Sequence, residues 1–198
     1  MIAIWKLIVF GLSWFVVIYL FNSLVAGKFK KIDAKLATMY FVTVAMIGVF
    51  GEIFLDTVYN HFLGHPLWHY NILPIQHGYT SEFAIIPWGT MGFYLYLMHD
   101  NLANKWAITK TSYLALIFSL EALIIEAAAT LSAKVFLGSY IYYYVPGDLW
   151  HVSSFQNIPF YFICGVIIIR TVKRFKKDPY FFTAMSACLI AVLIYIAK

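Results

Sequence analysis

Six long apolar stretches divide the chain, and they limit its fold more than any other feature. A helix crosses the roughly 30 Å hydrocarbon layer of a bilayer in about 20 residues, and each stretch comes close to that length. We predict membrane spans at residues 4–25, 36–59, 81–98, 112–133, 155–169 and 180–197. The sequence therefore predicts an all-α integral membrane protein, with residues 1–198 forming a single transmembrane domain.

The composition excludes the main soluble classes of protein. The chain is 63% hydrophobic and only 12% charged, whereas soluble domains carry about 45–50% apolar and about 25% charged residues. Because so few charges cannot cover a water-facing surface, soluble enzymes and nucleic-acid-binding proteins are excluded, despite the net charge of +5. The partner that this composition indicates is the lipid bilayer.

The basic residues indicate the orientation in the membrane. Eleven of the 14 Lys and Arg residues lie in three loops, at residues 27–35, 99–111 and 170–179. Cytoplasmic loops carry an excess of Lys and Arg, so these three loops should be cytoplasmic and both termini external. We expect a multi-pass protein of the cell membrane.

A shift of 74 residues aligns the middle of the chain with itself. The residues that then coincide are Glu52 with Glu126, Phe62-Leu63-Gly64 with Phe136-Leu137-Gly138, Trp68 and Tyr70 with Tyr142 and Tyr144, and Glu82 with Gln156. The glutamates and glycines are the matches that chance explains least well in a chain rich in Phe, Leu and Tyr. The shift therefore predicts an internal repeat.

The direction of the spans gives the geometry of this repeat. The second and fourth spans cross the membrane in the same direction, so spans 2–3 and 4–5 should form two parallel helical hairpins. The repeats cover about residues 45–98 and 119–172, and the spans at residues 4–25 and 180–197 flank them. Sites in membrane proteins built from repeats tend to lie at the repeat interface.

Two glutamates, Glu52 and Glu126, stand at equivalent positions inside the spans. A carboxylate at the bilayer centre costs at least about 2.5–3.5 kcal/mol, so both should face the bundle interior, where they are candidate acid/base groups. Asp56, Glu82 and Gln156 are secondary candidates for binding in the same cavity. The alternative is that these polar groups only hydrogen-bond neighbouring helices together.

The two loops between the paired spans are rich in aromatic residues. Trp68, Tyr70, Tyr142 and Tyr144 are expected to cover the outer mouth of the cavity, at the depth where aromatic belts form. Their π faces can also stabilise positive charge. They are therefore candidate binding residues.

Three histidines recur every four residues, at His61, His65 and His69. On an unbroken helix they would form a ladder of metal ligands. Gly64 and Pro66 interrupt the pattern, and a helix usually ends at or before the residue preceding a proline. These histidines are weak metal candidates, and the sequence predicts no metal site and no cofactor.

Three segments resemble a family of small multi-spanning membrane proteins of spore-forming Firmicutes, a family without an established activity. They are Gly48-Val-Phe-Gly-Glu52, Ser81-Glu-Phe-Ala-Ile-Ile-Pro87, and Glu126 through Tyr140-Ile-Tyr-Tyr-Tyr144. The family has a glutamate-bearing span, a Phe-Glu…Pro span and a Glu-x-aromatic hairpin in this order. The resemblance covers roughly residues 45–172 and implies a topology more than a chemistry.

A weaker likeness connects the chain with lycopene-cyclase-type and membrane terpene cyclase folds. The segments Leu73-Pro74-Ile75 and Ile158-Pro159-Phe160 are similar to the Pro-x-Glu-Glu region of those cyclases. The chain has Gln76-His77 and Tyr161-Phe162 where the cyclases have paired glutamates. The likeness implies a lipid-accessible pocket lined by acids and aromatic residues, and the substituted pair argues against cyclase catalysis.

Three functions fit these features. The first is a membrane-embedded binding protein or enzyme that acts on an apolar, isoprenoid- or lipid-like ligand through Glu52 and Glu126. The second is a small transporter or an ion- or proton-conducting protein with the same glutamates on a proton path. The third is an accessory membrane subunit. The residues do not decide whether the protein is an enzyme.

Overall fold

The computed structural model describes residues 4–197, without the side chains of residues 100 and 103–105. The chain forms a bundle of helices joined at one end by short strands. The helices are α1 (Ile4–Ala26), α2 (Ala34–Leu63), α3 (Ile85–Trp106), α4 (Thr111–Leu137), α5 (Asn157–Phe175) and α6 (Pro179–Ala197). The strands are β1 (Trp68–Tyr70), β2 (Pro74–Ile75), β3 (Thr80–Ser81) and β4 (Tyr142–Tyr144).

Four of these helices, α1, α2, α4 and α6, are long and apolar enough to cross a membrane. Helices α3 and α5 coincide with the third and fifth predicted spans but do not meet the same standard of length and composition. The last turn of α5 carries Lys173 and Arg174. The prediction of a helical, apolar bundle is confirmed, and within residues 4–197 four of its six helices have the length and composition of a membrane span.

The all-helical prediction missed the strands and placed the start of α3 four residues too early. Strand β3 and a 3-10 turn over Glu82–Ala84 precede Ile85. Ser81 Oγ accepts a hydrogen bond from the backbone N–H of Phe83 at 3.0 Å, which fixes this turn. Pro87 then lies in the first helical turn, where a missing N–H is tolerated because it would lack a helical partner anyway.

Two glycines end the helices that carry the glutamates. Gly64 follows α2 with φ 75°, and Gly138 follows α4 with φ 73°. A residue in the left-handed conformation commonly terminates a helix, and glycine adopts it without steric cost. Both helices therefore stop at the same relative position, and the chain turns into the strand-bearing loops.

The helices pack as two hairpins, α2 on α3 and α4 on α5, and α2 also packs on α5 and α6. Glycines allow close crossings in both hairpins. A Cβ at Gly92 would lie 3.0 Å from Phe41 Cα, and one at Gly165 would lie 3.2 Å from Ala115 Cα. Such small residues are typical where membrane helices approach closely.

Strands β1 and β4, from the two interhelical loops, pair in antiparallel fashion. Trp68 lies opposite Tyr144, and Tyr70 lies opposite Tyr142. Beyond the strands, the N–H of Asn71 donates to the Ile141 carbonyl and the N–H of Val145 donates to the Leu67 carbonyl, both at 2.9 Å. These contacts form two pairs, Trp68–Tyr144 with Tyr70–Tyr142 and Asn71–Ile141 with Leu67–Val145. Within each pair, a shift of 74 in residue number converts one contact into the other, so the ladder has two-fold symmetry in sequence.

Candidate functional site

Glu52 lies on α2 and is only 5% exposed. Its Oε1 accepts hydrogen bonds from the Tyr70 hydroxyl at 2.6 Å and from Trp88 Nε1 at 2.8 Å. Its Oε2 accepts from the Thr80 hydroxyl at 2.5 Å. A buried carboxylate is stable only when it is hydrogen-bonded or paired, and these three donors come from β1, β3 and α3.

Glu126 lies on α4 and is half-buried. Its Oε1 accepts hydrogen bonds from the Tyr144 hydroxyl at 2.5 Å and from the Tyr142 hydroxyl at 3.3 Å. Its Oε2 accepts from the Ser153 hydroxyl at 2.5 Å. Tyr161 of α5 also interacts with this carboxylate.

The donors follow the two glutamates at nearly equal distances along the chain. Those of Glu52 stand 18, 28 and 36 residues later. Tyr144, Ser153 and Tyr161 stand 18, 27 and 35 residues after Glu126. Each half thus supplies, in order, a tyrosine, a hydroxyl residue and a second aromatic residue with a polar hydrogen.

The paired strands bring the two carboxylate networks together. The rings of Tyr70 and Tyr142 lie 5.1 Å apart between centroids. The Tyr70 hydroxyl donates to Glu52, and the Tyr142 hydroxyl donates to Glu126. Asn157 Nδ2 hydrogen-bonds the Tyr144 hydroxyl. Burial, reinforced by the adjacent Glu52, raises the pKa of Tyr70 well above its usual range, and burial next to Glu126 does the same to the pKa of Tyr144. Both phenols therefore stay protonated and remain donors.

Left-handed backbone precedes the hydroxyl donors in both halves. Gln76 and His77 have φ values of 50° and 58°, and Trp150 and His151 have values of 51° and 63°. Such conformations cost about 1–3 kcal/mol per residue and cluster at functional sites. The two strained pairs are 74 residues apart and lead into the segments that carry Thr80 and Ser153.

A cavity of about 100 Å³ lies between the two glutamates. Of the residues predicted for the site, its wall includes Glu52, Glu126, Trp68, Tyr70, Tyr142 and Tyr144. The rest of the wall is largely apolar and comes from α1, α3, α4 and α5, with Phe10, Trp14, Ile86, Met91, Ile125, Ala129 and Phe160 among its residues. The cavity is therefore an apolar space whose polar groups are concentrated at the two carboxylates and their donors.

The aromatic residues are more deeply buried than an outer cover requires. Trp68 and Tyr70 are 3% exposed and Tyr144 is 2% exposed, so they are part of the site itself. Trp68 Nε1 donates to the Tyr79 carbonyl at 2.8 Å. The tyrosines were expected at an interface because Trp and Tyr are common there, but in this fold their hydroxyls bind the glutamates.

The structure does not bring the secondary polar candidates to the cavity wall. Asp56 is fully buried, and its Oδ1 accepts the backbone N–H of Leu67 at 2.7 Å. Glu82 borders a second, outer cavity formed with His69, His77 and the end of α6, and Gln156 is exposed. Asp56 therefore fixes the start of the loop after α2.

The three regularly spaced histidines contact different groups. His61 contacts the Phe62 ring, His65 Nδ1 lies 2.9 Å from the Pro66 carbonyl, and His69 contacts the Tyr143 ring. Within the described part of the chain, no group of three or more His, Cys, Asp or Glu residues is arranged to hold a metal ion. Gly64 ends the helix between the first and second histidine, which breaks the ladder.

The sequence reasoning missed four of the residues that contact the glutamates: Thr80, Trp88, Ser153 and Tyr161. A signal for them exists in the sequence. In each half, a hydroxyl residue is followed eight positions later by a large aromatic residue, but the second pair is displaced by one position relative to the 74-residue shift. An alignment without a gap hides this match.

Comparisons with models of protein families, with curated proteins and with solved structures give no match to this chain. Two carboxylates with fixed donors can accept hydrogen bonds from a further polar group or exchange a proton with it, and the rest of the cavity wall offers mainly apolar contacts.

Proposed function

We propose that the chain is a multi-pass protein of the cell membrane in which all six helices cross the bilayer. Contacts at one end of the bundle support the placement of the three basic loops on the same side of the membrane. Lys173 Nζ donates to the Thr109 carbonyl at 3.4 Å, and Lys30 Nζ donates to the Tyr96 carbonyl at 3.0 Å. An excess of Lys and Arg at one end is the mark of the cytoplasmic side.

The two hairpins, α2–α3 and α4–α5, are parallel repeats related by a two-fold axis along the membrane normal. Three independent features support this relation: the symmetric β1–β4 ladder, the matched donors of the glutamates, and the matched glycine crossings. The axis passes through the ladder, where equivalent residues of the two halves meet. The central cavity then lies at the repeat interface, which is where sites of repeat-built membrane proteins tend to lie.

The cavity binds an apolar, lipid- or isoprenoid-like ligand that carries a polar head. The observation that carries this proposal is the combination of an apolar wall with two donor-fixed carboxylates, Glu52 buried and Glu126 half-buried, that border one space. Pockets for small molecules are mostly apolar and contain a few placed polar groups that set orientation. Glu126 and Glu52 accept hydrogen bonds from the head, and Glu126 is the better placed for acid/base work because it is the less enclosed of the two.

The location of a photoreactive probe tests this function. Hexadecanol with a diazirine on a carbon near its hydroxyl end is added to vesicles that contain the full chain, and the labelled residues are found by mass spectrometry. We expect labelling of cavity residues such as Met91 and Ile125, reduced at least tenfold by an excess of plain hexadecanol. Labels confined to outward-facing residues such as Leu12 and Val16 would contradict the proposal.

A further inference from the structure

The proposed two-fold relation is broken at one place in the bundle. The axis maps α2 onto α4 and α3 onto α5, so the packing of α2 on α5 should have a counterpart between α4 and α3. Helices α2 and α5 do pack together, but within residues 4–197 α3 and α4 approach too little to form a comparable interface. The cavity lies at this open seam, since its wall includes Ile86 and Met91 of α3 and Ile125 and Ala129 of α4.

Helix α1 covers the seam from outside. Its residues Phe10, Gly11 and Trp14 line the cavity, whereas Leu12 and Val16 on its other side are 60% and 58% exposed. Helix α1 is packed on α3 but touches α4 at few points. A single helix therefore separates the cavity from the hydrocarbon layer in the proposed orientation.

The other walls of the cavity are closed. The β1–β4 ladder covers the outer end, and Tyr70 and Tyr144 are buried beneath it. Toward the cytoplasmic end, one helical turn below the cavity residues Met91 and Ile125, the Tyr94 hydroxyl hydrogen-bonds Glu121 across the seam. The opposite side is the α2–α5 interface, where a Cβ at Gly51 would lie 3.1 Å from the Phe160 ring.

The geometry points to a ligand that is a single-chain amphiphile dissolved in the bilayer, which reaches the cavity sideways when α1 moves off the α3–α4 seam. This inference rests on the proposed function and names its ligand class and route. The cavity volume of about 100 Å³ lies well below the roughly 300–1,000 Å³ of pockets for drug-sized molecules. A space of this size encloses the polar head and the first few methylene groups of one chain, and it does not admit the head of a two-chain lipid or a bulky ring system.

A disulfide between α1 and α3 tests the route. A Cβ at Gly11 would lie 3.9 Å from Ile86 Cβ, within the roughly 3.5–4.5 Å of natural disulfides. The same Cβ would lie 2.7 Å from Ile86 Cγ2, a methyl that Ile86→Cys removes. The variant therefore carries Gly11→Cys and Ile86→Cys, and its native thiols are removed by Cys164→Ala and Cys188→Ser. We call the disulfide between positions 11 and 86 the α1–α3 lock.

A matched lock on the closed side is the control. A Cβ at Gly51 would lie 3.6 Å from Cys164 Sγ, so Gly51→Cys with the native Cys164 joins α2 to α5 in a Cys188→Ser chain. The Phe160 ring must shift slightly to admit it. This lock adds a covalent bond of the same kind but leaves α1 free.

The readout is the diazirine–hexadecanol labelling of Met91 and Ile125 in vesicles of phosphatidylcholine. Oxidising the α1–α3 lock should reduce this labelling at least tenfold, reduction with dithiothreitol should restore it, and the α2–α5 lock should leave it unchanged. Equal labelling with α1 locked would overturn the sideways route and leave the proposed function standing. No cavity labelling in the reduced protein would overturn both.

A second variant moves α1 in the opposite direction and needs no disulfide. Gly11→Ala alone places a methyl 2.7 Å from Ile86 Cγ2 and forces α1 away from α3. We expect the initial rate of cavity labelling to rise several-fold, with folding checked by thermal unfolding in detergent. An unchanged or lower rate in the folded variant would contradict the route.

Discussion

The two halves of the central cavity are built alike but are not equally closed. Glu52 is 5% exposed and its three donors lie at 2.5–2.8 Å. Glu126 is half-buried, and one of its donors, Tyr142, lies at 3.3 Å. The two glutamates share one arrangement of donors, but Glu52 is enclosed more completely than Glu126.

The same contrast recurs one helical turn further along each helix. Asp56 follows Glu52 by four positions and holds the Leu67 N–H, whereas Thr130 stands at the equivalent place after Glu126 and lines the cavity. The first half therefore has its loop fixed by a carboxylate. The second half has a small polar side chain on the cavity wall instead.

Removing the Asp56 carboxylate should produce the largest loss of stability. Asp56→Ala leaves the buried Leu67 N–H without its acceptor, and an unsatisfied buried donor of this kind costs about 1–3 kcal/mol. We expect a value near the top of that range, measured by thermal unfolding in detergent. Asp56→Asn keeps an acceptor oxygen and should lose much less. Thr130→Ala should also lose less, and an equal loss there would remove the contrast between the halves.

Alanine at the two glycines of the helix crossings, Gly92 and Gly165, should lower the stability less than Asp56→Ala does, and by unequal amounts. A Cβ at Gly92 would overlap the Tyr40 carbonyl oxygen, whereas the nearest atom to a Cβ at Gly165 is Phe118 Cδ1 at 2.9 Å. Overpacking costs about 1–3 kcal/mol, and a side chain yields more easily than a backbone. We expect Gly92→Ala to cost about 2 kcal/mol and Gly165→Ala to cost less in the same assay. The reverse order would show that α4–α5 is the stiffer hairpin.

Substituting the two helix-ending glycines should give the smallest and most equal effects. Gly64 and Gly138 have φ values of 75° and 73°, and a Cβ would meet nothing within 4 Å at either. Alanine at each position should therefore cost about 1–2 kcal/mol, from backbone conformation alone. Asparagine tolerates this conformation better and serves as the control. Losses that differ by more than twofold would argue against equivalent helix ends.

The helices could be predicted because each contains a long and mainly apolar run. The first predicted span at residues 4–25 and helix Ile4–Ala26 differ by one residue. The glutamates could be predicted as a pair because two acids at one repeat interval are rare in such runs. In the structure, both border the same cavity.

The strands and the hydroxyl donors could not be predicted in the same way. Three aromatic residues in a row give no strand periodicity, and β1 finds its partner 74 residues away. Thr80 and Ser153 are common loop residues whose role depends on the left-handed turns before them. Composition alone places the tyrosines at the membrane–water interface. The fold shows that their hydroxyls reach Glu52 and Glu126.

We expect Glu126 and Glu52 to hold the head of one ligand in the apolar cavity, and the labelling of variants at these two positions measures that role. Diazirine–hexadecanol labelling of Ile125 is compared in the wild type, Glu126→Gln, Glu52→Gln and the control Glu82→Gln, whose side chain lies away from the cavity wall. Hydrogen bonds to charged groups contribute about 1.5–3 kcal/mol, so we expect Glu126→Gln to reduce labelling about tenfold or more. Glu52→Gln should reduce it less, and Glu82→Gln should leave it unchanged. Wild-type labelling in a folded Glu126→Gln, Glu52→Gln double variant would contradict the claim and leave the glutamates as structural groups that only hold the helices and loops together.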